Sequence, residues 1–250
     1  MESSAELAGR VVLVTGGARR VGATIARLLH AHGADLVVHH RTSTSEAQQL
    51  RNELEAGRAR STALVRADLA DPTSYARVID EALRAFGRLD VLVNNASSFY
   101  PTPVGEITEA QWHDLVGSNL KAPLFLSQAA APHLKRTTGL ILNLVDIHAA
   151  RPLKRHTVYS IAKAGLVTLT RSLARELAPE VRVNAIAPGP VMWPESGADV
   201  ALREEIVART ALERRGTPDD VARAALFFVR DAPFVTGQVL AVDGGRSIGW

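Results

Sequence analysis

Val11-Val12-Leu13-Val14-Thr15-Gly16-Gly17-Ala18-Arg19-Arg20-Val21-Gly22 decides how the rest of the chain is read. An apolar, β-forming run enters a glycine-rich turn, and helical periodicity starts at Val21. Glycines at a strand-to-helix turn let backbone N–H groups approach a diphosphate, and the positive end of the helix dipole favours the same charge. A plain tight turn also uses glycine. Here the cluster directly follows the first strand and precedes the first helix, which is the context a phosphate cradle requires. Gly16 and Val21 are its candidate backbone contacts. Arg19 and Arg20 are unusual within it: Arg19 has the alternative reading of a solvated surface charge, whereas Arg20, at the helix start, is placed to reach a phosphate or a substrate's polar edge.

Outward from this turn the chain alternates between two patterns. Apolar runs of strand length occupy residues 11–14, 36–39, 62–65, 89–93, 140–145, 181–186 and 239–242. They are rich in Val, Ile and Leu and do not alternate with polar residues, as in strands covered on both faces. Helical patterns lie between them at 21–32, 45–56, 74–86, 120–134, 158–177 and 218–229. Asp71-Pro72 and Thr217-Pro218 each present the N-cap-then-N1 arrangement that opens a helix. Gly33, Gly57 and Gly87 are expected just past helix ends, where a left-handed residue is needed. Seven strands with helical crossovers predict an α/β fold, a doubly wound, parallel, seven-stranded Rossmann-like sheet, in one domain over 1–250. The Pro- and Gly-rich stretch that begins at Pro188 reads as an insertion over the sheet's carboxyl edge. Such folds hold their ligand there, so residues 188–212 are a candidate lid.

Composition narrows the function classes. Of the 250 residues, 46% are hydrophobic and 22% charged, which suits a chain with a substantial core. No cysteine is present, so disulfides, thiolate metal sites and cysteine nucleophiles are excluded. A formal charge of +3 is too small and too scattered for a nucleic-acid partner, although it suits an anionic cofactor. No apolar stretch reaches the roughly 18 residues of a membrane span. The polar start Met1-Glu2-Ser3-Ser4-Ala5-Glu6 carries no secretory pattern, so a cytoplasmic protein is expected.

The second strand ends in His39-His40-Arg41-Thr42-Ser43. An acid at this place would hold a free ribose 2′-hydroxyl, whereas an arginine with neighbouring hydroxyls suits a 2′-phosphate. His40, Arg41 and Thr42 are therefore candidates for binding NADPH in preference to NADH. Adjacent strand residues point to opposite faces, so no metal site is expected at the two histidines.

Tyr159 and Lys163 form an i, i+4 pair on one side of a helix. An ammonium fixed beside a phenol is expected to favour the phenolate and make the group a proton relay near neutral pH. Asp146, 13 positions before Tyr159, ends the buried strand run 140–145, which brings a carboxyl group toward the same point. Alternatively, Asp146 caps a helix or pairs with Arg151 or Arg155.

With the glycine turn, Asn94-Asn95-Ala96 and Tyr159-xxx-Lys163 quoted, the chain resembles the short-chain dehydrogenase/reductase family along nearly its whole length. The resemblance implies a nicotinamide along the strand ends, with Lys163 on its ribose and Tyr159 handling the proton. It implies that Asp68 and Leu69 contact the adenine, that Asn95 and Ala96 form the floor beneath the cofactor, and that Asn119 helps to orient the lysine through water. Pro188-Gly189 match the segment near the carboxamide, but the threonine many members carry a few residues later is missing. A homotetramer is also implied.

Most members have serine where this chain has Asp146. A carboxyl group accepts from an amidine-like N–H or delivers a proton, which points from simple ketones toward a nitrogen heterocycle. Phe99, four residues after Asn95, is placed to stack on a flat ring. With Arg20 and Asp146, this closely resembles the pteridine reductases. That resemblance implies that Phe99 sandwiches a pterin against the cofactor, that Ser97 and Arg20 contact both, and that Asp146 and Tyr159 bind and protonate the ring. Phe99 has the alternative of a loop anchor. Trp193 reads equally as a second wall for the ligand or a core residue of the lid, and His148 as a loop histidine close to the pocket. The expected activity is NADPH-dependent reduction of a dihydropterin, extending to dihydrofolate. The alternatives are a reductase of ketones or 3-oxoacyl thioesters and a non-catalytic NADP-sensing protein.

Overall fold

The computed structural model describes residues 6–192 and 199–248. The opening run forms β1 (Val11–Val14), every residue of which is buried. Val12 and Val14 pack toward α1 (Arg20–Ala31) and α8 (Pro218–Arg230), while Val11 and Leu13 pack toward α3 (Ser74–Phe86) and α5 (Ala122–Thr137). Successive strand side chains point to opposite faces, so a strand covered on both sides must be apolar throughout. This is why the strand runs carry no alternation.

Six further strands extend the sheet: β2 (Asp35–His40), β3 (Thr62–Arg66), β4 (Val91–Asn94), β5 (Leu140–Leu144), β6 (Arg182–Pro188) and β7 (Val239–Val242). Their order is β3-β2-β1-β4-β5-β6-β7, and every pairing is parallel. The expected doubly wound sheet is therefore present. Between β1 and β4 the strand order reverses, and the crevice outside their carboxyl ends is where such sheets take ligands.

Local chemistry explains where the boundaries depart from expectation. β4 starts at Val91, not at 89, because Asp90 turns a buried carboxylate onto the Val11 N–H at 2.8 Å and pairs with Arg88. Thr217 caps α8 in a reciprocal box with Asp220, with Pro218 in the first turn, as the sequence predicts. Asp71 does not cap α3. Its carboxylate takes the Thr73 N–H at 2.9 Å in a turn before the helix, and α3 begins at Ser74. Gly33 and Gly87 have positive φ as expected, whereas Gly57 is the last residue of α2 (Thr44–Gly57) and Arg60 takes the left-handed conformation. A helix that the pattern does not reveal, α4 (Glu109–Val116), precedes α5. It opens with a Thr108/Gln111 capping box and runs into a π-helical turn, Gly117–Lys121. α6 (Thr157–Glu176) follows β5, and α7 (Val200–Ala208) lies in the segment expected as a lid. Among the described residues no helix is long and apolar enough to cross a membrane.

Candidate active site

The crevice between β1 and β4 is closed by side chains at the strand ends. The Thr15 hydroxyl accepts from the Asn95 and Ala96 N–H groups at 2.9 and 3.0 Å. The Asn95 side-chain amide donates to the Thr15 and Gly16 carbonyls at 2.9 and 3.1 Å. A Cβ at Gly22 would come within 2.5 Å of both that amide nitrogen and the Gly16 carbonyl, so only glycine fits where α1 enters the turn. Gly16 adopts φ +59°. Arg20 has φ 54°, a conformation that costs a non-glycine residue about 1 kcal/mol or more. The first turn of α1 contains no acidic residue, so the positive end of its dipole is not offset from within that turn. Arg19 points away toward α2, 3.5 Å from Glu46.

His39, which sequence reasoning passed over, latches this turn. Its Nδ1 accepts the Gly16 N–H at 3.1 Å, its Nε2 faces the Ala67 carbonyl at 3.2 Å, and its own carbonyl accepts the Gly17 N–H at 2.9 Å. A carbonyl can only accept, so the proton sits on Nε2 and the ring is neutral. Burial lowers its pKa to about 4, with the Ala67 carbonyl opposing.

Beyond β2, a cavity of about 480 Å³ is lined by Arg41, Thr42, Arg66, Ala67, Asp68 and Arg77. Arg41 lies 3.9 Å from Asp68, the acid on this lining. His40, a candidate for this site, is buried with its Nδ1 lacking a hydrogen-bond partner and is not part of the lining. Three guanidinium groups against one carboxylate, with a hydroxyl, fit the phosphorylated ribose of a dinucleotide. Arg66 and Arg77 were not singled out in the sequence. Leu69 turns its side chain into the core.

At the other end of the crevice the 2.8 Å hydrogen bond from Tyr159 to Asp146 Oδ2 joins α6 to the segment after β5. Asp146 Oδ1 accepts the His148 N–H at 2.8 Å and caps the short turn Ile147–Ala149. Asp146 thus meets the Tyr159 phenol with one oxygen and caps the following turn with the other. His148 is a loop histidine whose Nδ1 meets the Arg151 carbonyl at 3.0 Å. The expected shift of Tyr159 toward phenolate is reversed. Burial raises its pKa well above the ordinary value, and the Asp146 carboxylate adds to the rise, so the phenol keeps its proton. Lys163 is fully enclosed and donates to the Leu144 carbonyl at 2.8 Å, with its Nζ 5.7 Å from the Tyr159 ring centre. Burial lowers its pKa to about 8, against the pull of Asp146.

Phe99 stands over this pair. Its ring meets Tyr159 edge-on at 4.9 Å and stacks on His156 at 4.7 Å, a neighbour the sequence did not suggest. Ser97 donates to Asn119 at 2.7 Å. The Asn119 amide itself donates to the Ser98 and Leu115 carbonyls at 2.9 and 3.0 Å. The side chain expected to act on Lys163 thus holds the loop that carries Phe99.

Residues 16–247 match the enoyl-(acyl carrier protein) reductase family. A putative ketoacyl reductase of granaticin polyketide synthase from Streptomyces violaceoruber is 36% identical, with 95% of this chain and 96% of the relative covered. Pteridine reductase 1 of Leishmania tarentolae is also 36% identical, over the same shares of the two chains. The 3-oxoacyl-[acyl-carrier-protein] reductase FabG of Staphylococcus aureus is 35% identical, covering 93% of this chain and 96% of its own. The chain belongs to the short-chain dehydrogenase/reductase family. As a member it is an oxidoreductase, and the family works with nicotinamide cofactors. The crevice from Arg41 to Tyr159 lies along the carboxyl ends of the strands, where sheets of this order take ligands.

At the start of the segment expected as a lid, Pro188 ends β6 opposite Val242, and a Cβ at Gly189 would lie 2.6 Å from that of Asp243. Close approach of two backbones explains this glycine. Trp193 lies outside the described residues.

The latch is expected to make this short-chain dehydrogenase/reductase sensitive to acid. His39 has a folded pKa of about 4 against an ordinary 6.5, with His40, Asp68 and Arg77 as its charged or titratable neighbours. The stability gained from the neutral ring is complete above pH 6.5 and lost as pH falls toward 4. Unfolding free energy should drop by up to about 1.4 kcal/mol per pH unit in that window from this group. His39→Asn keeps an acceptor and a donor without the titration, and should flatten the slope. Urea unfolding at a series of pH values measures it; identical slopes would remove His39 from the account.

Proposed function

We propose that this chain reduces a dihydropterin to its tetrahydro form, with NADPH as the reductant and dihydrofolate as a second substrate. The observation that carries the reading is the hydrogen bond between Asp146 and Tyr159, set under the exposed ring of Phe99. NADPH, which Arg41 and Thr42 would hold by its 2′-phosphate, would supply the reducing hydride. Tyr159, kept protonated by burial and by Asp146, donates its proton to the imine nitrogen. Lys163 lies close enough to stabilise the phenolate left behind, and Asp146 is an acceptor for the substrate's N–H groups. Phe99 offers a flat apolar face and Arg20 a cation at the crevice.

The competing reading is reduction of a 3-oxoacyl thioester, since the relatives include a 3-oxoacyl-[acyl-carrier-protein] reductase at 35% identity and a putative ketoacyl reductase at 36%. A substrate carbonyl is an acceptor and needs a donor beside the phenol, whereas the group bonded to Tyr159 is a carboxylate. We further read the chain as a cytoplasmic homotetramer. Phe227, Phe234 and Leu240, in and between α8 and β7, are exposed apolar groups that a partner subunit would cover. A monomer in sedimentation velocity would end that reading.

NADPH oxidation with dihydrobiopterin, beside an acetoacetyl thioester, separates the two activities. Asp146→Ser and Tyr159→Phe should each lower pterin turnover by about 100-fold or more, while NADPH still binds. Full turnover by either variant would sink the proton route, and binding without turnover of any substrate would favour a sensor. Arg41→Ala should weaken NADPH by about tenfold or more and leave NADH nearly unchanged, because the lost contact is to the 2′-phosphate. Equal losses for both cofactors in fluorescence titration would count against the 2′-phosphate site.

A further inference from the structure

Phe99 combines two properties that seldom occur together in a loop. Its ring is 48% exposed, yet the residues on both sides of it are tied down. The Ser98 hydroxyl donates to Asp114 Oδ1 at 3.4 Å, and the Tyr100 hydroxyl donates to Asp114 Oδ2 at 2.9 Å. One carboxylate on α4 therefore gathers both flanking side chains. The backbone is held as well. The Ser98 N–H donates to the Ser118 hydroxyl at 3.3 Å, and Ser118 in turn donates to the Asp114 carbonyl at 2.8 Å. Tyr100 packs against the buried cluster of Leu115, Val158 and Tyr159. Its pKa is pushed up to about 12, first by burial and then by Asp114, so the phenol remains a donor. An exposed aromatic ring fixed from both sides contributes little to the core. It is a prepared surface.

We propose that Asp114 is a positioning residue for the substrate ring: by holding Ser98 and Tyr100 on its two oxygens, it fixes Phe99 edge-on to Tyr159 and sets the gap that a flat heterocycle enters. This rests on the reading of Phe99 as the substrate's platform. Asp114 lies on a different element from Asp146, Tyr159 and Lys163 and acts only through the loop. Displacement of a platform by even about 1 Å is enough to change how a bound ring meets its reaction partners.

Two measurements test it. In steady-state kinetics with dihydrobiopterin, Asp114→Ala should raise KM by about tenfold with the NADPH dissociation constant within about twofold of wild type. Asp114→Asn retains an acceptor for Tyr100 and a polar atom for Ser98, and should recover most of the loss. Tyr100→Phe combined with Asp114→Ala should be no worse than Asp114→Ala alone, since both break one clamp. Independently of turnover, 4-fluorophenylalanine placed at position 99 should give one narrow fluorine resonance in the otherwise unaltered NADPH complex and a broadened or shifted one with Asp114→Ala. An unchanged fluorine signal overturns the proposal, as does an unchanged KM or an equal rise in KM and NADPH dissociation constant. A wild-type protein that reduces no pterin would remove the functional reading alone, and the fluorine spectrum then decides whether Asp114 holds the ring.

Discussion

The Thr15 hydroxyl, accepting two backbone N–H groups from the neighbouring strand's exit, is the contact on which the site's geometry depends. It lies where the strand order reverses, and it fixes the distance between the glycine turn after β1 and the Asn95–Ala96 floor after β4. Parallel strands leave their last N–H groups without ladder partners, and a buried hydroxyl at this point satisfies two of them at once. Asn95 completes the weld by spending its amide on the turn's carbonyls. The floor and the cradle therefore form one rigid piece. His39 then ties that piece to β2, and through Ala67 to the exit of β3.

Electrostatics at the far end of the crevice follow from which neighbour wins. A lysine near a phenol pulls toward the phenolate, and burial with a carboxylate pulls the other way. Here the carboxylate is in direct hydrogen-bond contact at 2.8 Å, whereas the ammonium is spent on the Leu144 carbonyl. The closer charge and the loss of water prevail, so the phenol is held as an acid. The same low-dielectric setting lowers the lysine's pKa to about 8, so of the two groups the lysine gives up its proton more readily.

Much of the fold was legible because burial on two faces leaves a continuous apolar signature. All seven strands fall where those runs lie, with their ends moved by side chains that compete for backbone groups, such as Asp90 on Val11. α4 escaped notice because its apolar stripe is short, although Thr108 and Gln111 spell its capping box. In the site, Asp146, Tyr159 and Phe99 were named from residue type and spacing, and they lie together. His39, His156 and Asp114 were not. Their roles come from tertiary hydrogen bonds and stacking between elements, which carry no local period or motif. The opposite sign of the Tyr159 shift has the same origin: an i, i+4 pair is visible in sequence, while the depth of burial is not.

The divided carboxylate of Asp146 has a consequence for how such a reductase changes over generations. One oxygen closes the turn Ile147–Ala149 and the other holds the phenol. A serine offers a single oxygen on a side chain one bond shorter, so it cannot place an oxygen at both of the positions that the two Asp146 oxygens occupy. Exchange of the acid is therefore epistatic with the loop that follows it. Replacement of the residue at 146 is expected to disturb the turn Ile147–Ala149 as well as the partner of the Tyr159 phenol.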